Sequence, residues 1–146
     1  MSNPGPASST SIHPQNLGTN QAIRLISVVK GLSVASLGDT TAAVINTTSW
    51  VPTSVVIANA NNAGAAVDVS SVYIGVYPAA SQGGTSILTA AALTSQTTVA
   101  YVTVSATSHA NTAQSGQTLY FNVSSATATA TVDVYVYGYD LSGPQQ

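Results

Sequence analysis

Residues 131–141, TVDVYVYGYDL, read as a β-strand that is apolar on both faces. Successive side chains of a strand point to opposite faces, so three valines fall on one side and three tyrosines on the other. A strand at the surface of a lone soluble protein normally keeps one face polar. The valines therefore predict a buried face, and the tyrosines predict contact with a second surface. The two rows are Val132, Val134 and Val136, and Tyr135, Tyr137 and Tyr139.

Asp133 and Gly138 complete this strand and fit the same division of faces. Asp133 is expected on the tyrosine side near the start of the strand, where its carboxylate can stay in water. Gly138 is expected on the valine side, where the missing side chain lets the strand bend or another backbone come close.

Strand-like patterning continues through most of the chain after residue 20. β-Branched residues dominate, and turn residues separate about eight short strands without a clear helix. The sequence therefore predicts an all-β domain, most simply a β-sandwich with a jelly-roll-like arrangement. A closed barrel and an immunoglobulin-like sandwich also fit this pattern. Residues 86–96, SILTAAALTSQ, fit either one helical turn or a short edge strand.

The first predicted strand, QAIRLISVVKG at residues 21–31, has apolar residues in both sets of alternating positions. Strict alternation divides its residues between two faces. One face receives Ile23, Leu25 and Val29, and the other receives Arg24, Ile26, Val28 and Lys30.

Three regions are expected along the chain: an extended N-terminal arm at residues 1–20, a β-sandwich domain at 21–142 and a short tail at 143–146. The arm contains three prolines and several glycine, serine and asparagine residues, a composition that excludes a helix and forms no core of its own. It also lacks the cation and the apolar run of a secretory signal. We expect the arm to lie on a neighbouring subunit, which would hold it in place.

Charged residues make up only 4% of the chain, whereas an average domain has about 25%. Arg24 and Lys30 are the only cations, and glutamate is absent. Two cations cannot replace the counterions of a nucleic acid, so the sequence predicts no nucleic-acid binding. No run approaches the roughly 18 apolar residues of a membrane helix, so it predicts no membrane contact. A surface so poor in ions can meet another protein without the penalty of desolvating charges.

Residues that carry catalysis or bind metals are scarce. The chain has no cysteine, and its two histidines, His13 and His109, lie in the arm and in a polar loop, away from any nucleophile motif. The four aspartates are scattered and form no metal-binding loop or carboxylate pair. Asp39 reads as a turn residue, and Asp68 reads as the outward residue of a strand. We therefore predict a protein without an active site, a cofactor or a metal ion.

The tyrosines are the exception and form the candidate site. Tyr135, Tyr137 and Tyr139 share one face of the last strand, and Tyr73 and Tyr77 are expected to share a face of another strand. Tyrosine combines a large contact area, a low ordering cost and a hydroxyl group, which explains its enrichment at protein interfaces. All of these side chains are predicted to lie at an interface with another subunit or protein. The alternative is a sheet face covered by a loop of the same chain.

A hydroxyl- and alanine-rich all-β chain that ends in ATATATVDVYVYGYDLS resembles the small capsid decoration, or cement, proteins of tailed bacteriophages. The resemblance covers residues 98–142. It implies a non-catalytic structural virion protein that binds the outer surface of an assembled capsid and staples neighbouring capsomers. It also implies synthesis in the host cytoplasm, the major capsid protein as partner, and self-association, first as a homotrimer and next as a homodimer.

An alternative function is host or carbohydrate recognition by a fibre or lectin-like virion module. The loops at residues 78–86 and 105–117 would then carry recognition, and the tyrosines would stack on sugar rings. Both functions are compatible with the sequence, which leaves the symmetry of the capsid and the position of the protein on it open.

Overall fold

In a computed structural model of the chain, four stretches are described. The predicted arm at 1–20 and the predicted tail at 143–146 lie outside these stretches, and so does the segment 106–111 of the loop predicted at 105–117. The described residues are 23–94, 102–105, 112–126 and 129–142.

Nine β-strands run through the described stretches, and these stretches contain no helix. The all-β prediction is confirmed, and the ambiguous segment at 86–96 contains a strand at residues 88–92. One strand, β4, is only two residues long. The strands are β1 (Ile23–Ser33), β2 (Gly38–Ala43), β3 (Trp50–Asn62), β4 (Ala65–Ala66), β5 (Tyr73–Tyr77), β6 (Leu88–Ala92), β7 (Val102–Ser105), β8 (Thr118–Ser125) and β9 (Thr131–Asp140).

The strands form two antiparallel sheets that pack face to face as a β-sandwich. Sheet A has the order β1-β9-β3-β7, with β4 added beside the end of β3, and sheet B has the order β2-β8-β5-β6. When β4 is left aside, the first strand pairs with the last, the second with the second last, and so on inwards to β5 and β6. A long hairpin rolled up in this way is a jelly roll, which confirms the predicted jelly-roll-like sandwich.

The core lies between the two sheets and consists of aliphatic and aromatic side chains. Val132, Val134 and Val136 are fully buried there, whereas the alternate residues of β9 are half-buried, so the predicted division of this strand is confirmed. Trp50 is the largest of the fully buried side chains. Burial of a valine contributes roughly 1.5 kcal/mol or more, so the inner row anchors β9 in the middle of sheet A.

Strand β1 departs from strict alternation, and the faces predicted for it are partly wrong. Its pairing with β9 is interrupted by a β-bulge after Leu25. An extra residue at a bulge reverses the side on which the following residues lie. Val28 lies opposite the outward-facing Tyr135 and therefore shares the outer face with Leu25. Val29 lies opposite Val134 and packs against the core.

A partly buried ionic cluster joins the start of β1 to the end of β9. Asp140 is 3% exposed, and its carboxylate accepts hydrogen bonds from Arg24 Nη1 and Thr47 Oγ1, both at 2.6 Å. The backbone N–H of Ser142 donates to the same carboxylate at 2.9 Å, and the Ser142 hydroxyl also donates to it. Arg24 Nη2 donates to the carbonyl oxygen of Ile45 at 2.8 Å. The cluster therefore ties together the first strand, the last strand and the connection between β2 and β3.

The hydrogen bonds of this cluster determine the protonation of Asp140. Burial raises the pKa of Asp140, but hydrogen bonds from Ser142 and Thr47, together with the positive charge of Arg24, outweigh burial and hold this pKa below its ordinary value. The ionised carboxylate is therefore the form that the folded chain favours.

Candidate functional site

The outer face of sheet A brings the three tyrosines of β9 together with apolar residues of the two neighbouring strands. Residues directly opposite each other in antiparallel strands point to the same side of a sheet, so the register defines three rungs across β1, β9 and β3. We call these nine residues the open face. The rungs consist of Ile23, Tyr139 and Val51; of Leu25, Tyr137 and Ser54; and of Val28, Tyr135 and Val56.

The open face is accessible to solvent along its length. All nine residues are half-buried or exposed, and Ile23 has the largest exposed fraction, 55%. None of the nine is charged, and eight of them are aliphatic or aromatic. Leu141 follows the tyrosine row past the end of β9 and is 39% exposed. A continuous apolar patch of this kind on a protein surface is typical of an interaction site.

The carboxylate at one end of the open face is engaged within the domain. Asp133 precedes Tyr135 on the same side of β9, as predicted. Its side chain accepts hydrogen bonds from the backbone N–H of Gly31 at 2.8 Å and from Asn59 Nδ2 at 3.2 Å. The hydroxyl of Tyr135 also donates to it, at 3.5 Å. These bonds hold the negative charge of Asp133 at the edge of the open face and orient Tyr135. The centre of the open face is therefore neutral.

A close backbone contact fixes β9 against β3 beneath the tyrosines. A Cβ atom at Gly138 would overlap the carbonyl oxygen of Val51 and lie 3.1 Å from Ile26 Cγ1. The prediction that Gly138 lets another backbone approach is therefore confirmed, and the partner is β3.

The outer face of sheet B has a different character because a loop of the same chain is bonded to it. Asp39, predicted as a turn residue, instead lies in strand β2, where it pairs with Asn122 of β8. Its carboxylate accepts hydrogen bonds from Asn122 Nδ2 and from the backbone N–H of Ser81, each at 2.6 Å. Gln82 Nε2 donates to Asn122 Oδ1 at 2.8 Å. Residues 79–84, which we call the strap, are thereby held against this face.

Tyr73 and Tyr77 belong to β5 of sheet B, so they do not share a surface with the tyrosines of β9. Tyr73 is 43% exposed, whereas Tyr77 is only 6% exposed. The ring of Tyr77 lies over Gly75, where an added Cβ atom would come within 2.6 Å of Tyr77 Cε2. Tyr77 therefore offers almost no surface to a partner. The predicted set of five tyrosines divides into three on the open face and two on the opposite sheet.

Nothing in the sequence singles out the aliphatic residues that complete the open face. Leu25 and Val28 of β1 and Val51 and Val56 of β3 flank the tyrosines. Each of them reads as an ordinary core residue, because an apolar residue in a strand does not show which face of its sheet is covered. Only the pairing register, which depends on contacts distant in sequence, places them beside the tyrosines.

Groups that bind metals are not clustered in the described part of the chain, where no three His, Cys, Asp or Glu side chains lie together. His13 and His109 lie outside the described residues, so the absence of catalysis stays a prediction. Asp68, predicted to face outward from a strand, instead precedes β5 and accepts a hydrogen bond from the backbone N–H of Ser70 at 2.8 Å. Among the residues that the structure describes, no helix has the length and apolar character needed to cross a bilayer.

Similarity to known proteins does not assign the chain to a family: no family model matches it, and no curated protein or solved structure matches it. Function must therefore be inferred from the surface chemistry of the sandwich. Among the features of the described residues, the open face most clearly indicates contact with a partner.

Proposed function

We propose that the chain is a non-catalytic structural virion protein that binds the outer surface of an assembled phage capsid and staples neighbouring capsomers. The observation that carries this proposal is the open face, a row of three tyrosines with aliphatic flanks and no charge. Burial of such a face removes apolar surface from water without desolvating ions. The resemblance of residues 98–142 to capsid decoration proteins supports the same function.

The major capsid protein is the proposed partner, and the chain is also proposed to associate with itself as a homotrimer or a homodimer. Its proposed location is the exterior of the capsid, which it reaches after synthesis in the host cytoplasm. A rigid sandwich with contact area spread over many side chains suits a static role in an assembly. The proposed function requires no cofactor, metal ion, nucleic acid or membrane.

Co-sedimentation with empty capsids tests this proposal. The purified chain is mixed with capsids assembled from the major capsid protein of the virus that encodes it, and the capsids are then pelleted. We expect saturable binding with a fixed number of copies per capsid, and a higher melting temperature of the decorated capsid. Unassembled capsid protein is the matched control, because it lacks the joints between capsomers. A chain that stays in the supernatant and leaves capsid melting unchanged contradicts the proposal.

Carbohydrate or host recognition is the second candidate, because the strap brings the Gln82 amide to a sheet face that also carries the Asp39 carboxylate and Tyr120. Polar groups beside aromatic side chains are typical of ligand sites. The side chains of Gln82, Asn122 and Asp39 are, however, bonded to one another, so a sugar would have to displace these bonds. A glycan array distinguishes the two functions. Binding of the isolated chain to one class of glycan favours recognition, and capsid binding without glycan binding favours assembly.

A further inference from the structure

We propose that the open face packs against the open face of a second copy of the chain, with the two copies related by a two-fold axis. This inference deepens the proposed function by naming the occupant of the open face, and it rests on that function only in treating the face as an assembly surface. Tyr137, in the middle rung, lies at or near the axis in this arrangement.

The first observation behind this inference is that no described part of the chain occupies the open face. Tyr135, Tyr137 and Tyr139 all keep part of their surface in contact with solvent. On sheet B, by contrast, the strap is bonded to Asn122, which is only 7% exposed. A partner that covers the open face must therefore come from outside the described residues.

The charge pattern of the open face fits an identical surface better than a charged one. Asp133 at its rim is bonded to Gly31 and Asn59, and Arg24 is paired with Asp140 at the end of the sandwich. The other cation, Lys30, is exposed in β1 beyond the last rung. A partner with a charged surface would bury its ions without finding counterions on this face. A second open face brings no ions, and its tyrosine hydroxyls can bond to one another across the contact.

The arrangement of large and small side chains is self-complementary. The tyrosines form a ridge along the central strand β9, and smaller side chains of β1 and β3 form a lower flank on each side of it. Two sheets packed face to face cross at about −30°, so two such ridges meet at one point and then diverge. With the crossing at Tyr137, Tyr135 of each copy passes over one flank of the other copy and Tyr139 passes over the opposite flank. Away from the crossing, the ridge of each copy therefore lies toward the lower flanks of the other copy.

The size of the open face predicts a weak contact in solution. Together with Leu141, which follows its tyrosine row, it extends about 20 Å along β9 and about 14 Å across three strands, an area of about 300 Å². A standard interface buries about 800 Å² on each partner. The pair is therefore expected to dissociate on dilution and to form when copies are held close together on a common scaffold, which raises their effective concentration. A two-fold contact makes a dimer, the second of the two oligomers expected from the sequence.

A charge-swap experiment at Tyr137 tests the inference without capsids. Sedimentation is measured over a range of concentrations for the unmodified chain, for Tyr137→Lys, for Tyr137→Glu and for an equimolar mixture of the two variants. We expect the unmodified chain to form dimers between about 10 µM and 1 mM. Each variant alone should lose on the order of tenfold or more in self-association, because two like charges meet near the axis. The mixture should recover association, because each lysine then faces a glutamate.

Thr41→Lys and Thr41→Glu provide the matched controls, because Thr41 is exposed on the opposite sheet. Both controls should associate as the unmodified chain does. The melting temperature of each variant shows whether its sandwich is folded. If a charged Tyr137 variant unfolds, Tyr137→Ser takes its place: weaker association with unchanged melting supports the inference, and unchanged association overturns it.

Three outcomes overturn the inference: a chain that stays monomeric to about 1 mM, a trimer as the smallest oligomer, or a mixture of charge variants that fails to recover association. Capsid co-sedimentation of the same variants is measured separately. Dimers that do not bind capsids contradict the proposed function and leave this inference intact. Monomers that bind capsids contradict this inference and leave the proposed function intact.

Discussion

The two outer faces of the sandwich differ in what covers them. Sheet A leaves an uncharged row of tyrosines and aliphatic residues open to solvent, whereas sheet B is bonded to the strap of its own chain. Both faces carry tyrosine on a central strand, three on β9 in sheet A and Tyr120 alone on β8 in sheet B. The difference lies in the carboxylates, because Asp133 is held at the rim of sheet A while Asp39 of sheet B accepts the backbone N–H of Ser81. A carboxylate that accepts a hydrogen bond from a loop holds that loop over the sheet face. A sheet face without such a contact is left open to a partner.

Asp140→Asn is expected to have the largest effect, because it breaks the cluster that frames the open face at one end. Arg24 would lose its ion partner in a partly buried site, so the free energy of unfolding should fall by on the order of 2–3 kcal/mol. Urea denaturation of the monomer measures this loss. Ser142→Ala is the control: it removes one hydroxyl donor, keeps the ion pair and should cost about 1 kcal/mol. Equal losses in the two variants would show that the ion pair adds nothing to stability.

The same carboxylate predicts how stability depends on pH. The pKa of Asp140 in the folded chain lies below its ordinary value of 3.8, so the folded state binds a proton less readily than the unfolded state. Its stabilisation is therefore complete above about pH 5 and is lost as the pH falls through the ordinary value towards the lower folded one. Asp68, whose pKa is lowered by hydrogen bonds from Ser70, acts in the same direction. The part due to Asp140 is the difference between urea melts of the unmodified chain and of Asp140→Asn across this range.

Two substitutions in β9 distinguish the contribution of its inner face to stability from the contribution of its outer face to self-association. Val134→Ala should lower the free energy of unfolding by on the order of 1–3 kcal/mol, through lost burial and a cavity. Tyr137→Ala should change monomer stability less, but should weaken self-association by on the order of 1–2 kcal/mol. Urea melts and sedimentation of both variants provide the comparison. If Tyr137→Ala destabilises the monomer as much as Val134→Ala and leaves association unchanged, the open face is only a structural surface.

Asn122→Ala should loosen the strap and make sheet B more like sheet A. The substitution removes hydrogen bonds to Gln82 and Asp39, so it should cost about 1 kcal/mol of stability. Amide hydrogen exchange within the strap should become faster, because its open states become more populated. Ser124→Ala, on an exposed residue of the same strand, is the control. Unchanged exchange in Asn122→Ala would mean that the strap is held by other contacts.

Deletion of residues 1–20 tests the predicted arm, which lies outside the described residues. The β-sandwich should fold and melt as before, because the arm has too few apolar residues to contribute to a core. Assembly on capsids should weaken severalfold, as measured by co-sedimentation. A large drop in the melting temperature of the shortened monomer would instead show that the arm packs on its own domain.

Salt should have the smallest effect. The open face has no ions to screen, so raising the salt concentration from about 50 to 500 mM should change the dissociation constant of self-association by less than about twofold. The mixture of Tyr137→Lys and Tyr137→Glu is the internal control, because its contact contains a new ion pair and should weaken as salt rises. A strong salt dependence of the unmodified chain would place charged groups in the contact.

The sequence was sufficient to predict the position of β9 and the division of its side chains between two faces, because the alternation of side chains is a property of a single segment. Burial of Val132, Val134 and Val136 and the close approach at Gly138 both followed from that alternation. The jelly-roll-like sandwich followed from the spacing of strands and turns and from the lack of a helical pattern.

Features that depend on the pairing of one strand with another could not be predicted from the sequence. The bulge after Leu25, which puts Val28 on the outer face and Val29 against the core, is defined only by the register of β1 on β9. Strand β2 has the sequence GDTTAA, which carries no strand pattern, and it is a strand because it pairs with β8. The assignment of Tyr73 and Tyr77 to the sheet opposite the other tyrosines depends on the topology in the same way.

The pairing of the first strand with the last has a mechanical consequence. Ile23 lies opposite Tyr139, so the start of β1 and the end of β9 are side by side. A force that pulls these two ends apart breaks the hydrogen bonds between β1 and β9 one residue pair at a time. It does not load all of these hydrogen bonds together in shear. The first link under tension is the ion pair between Arg24 and Asp140. Tension along the chain is therefore carried by one small cluster, whereas a load pressed on the broad faces is shared by the entire core.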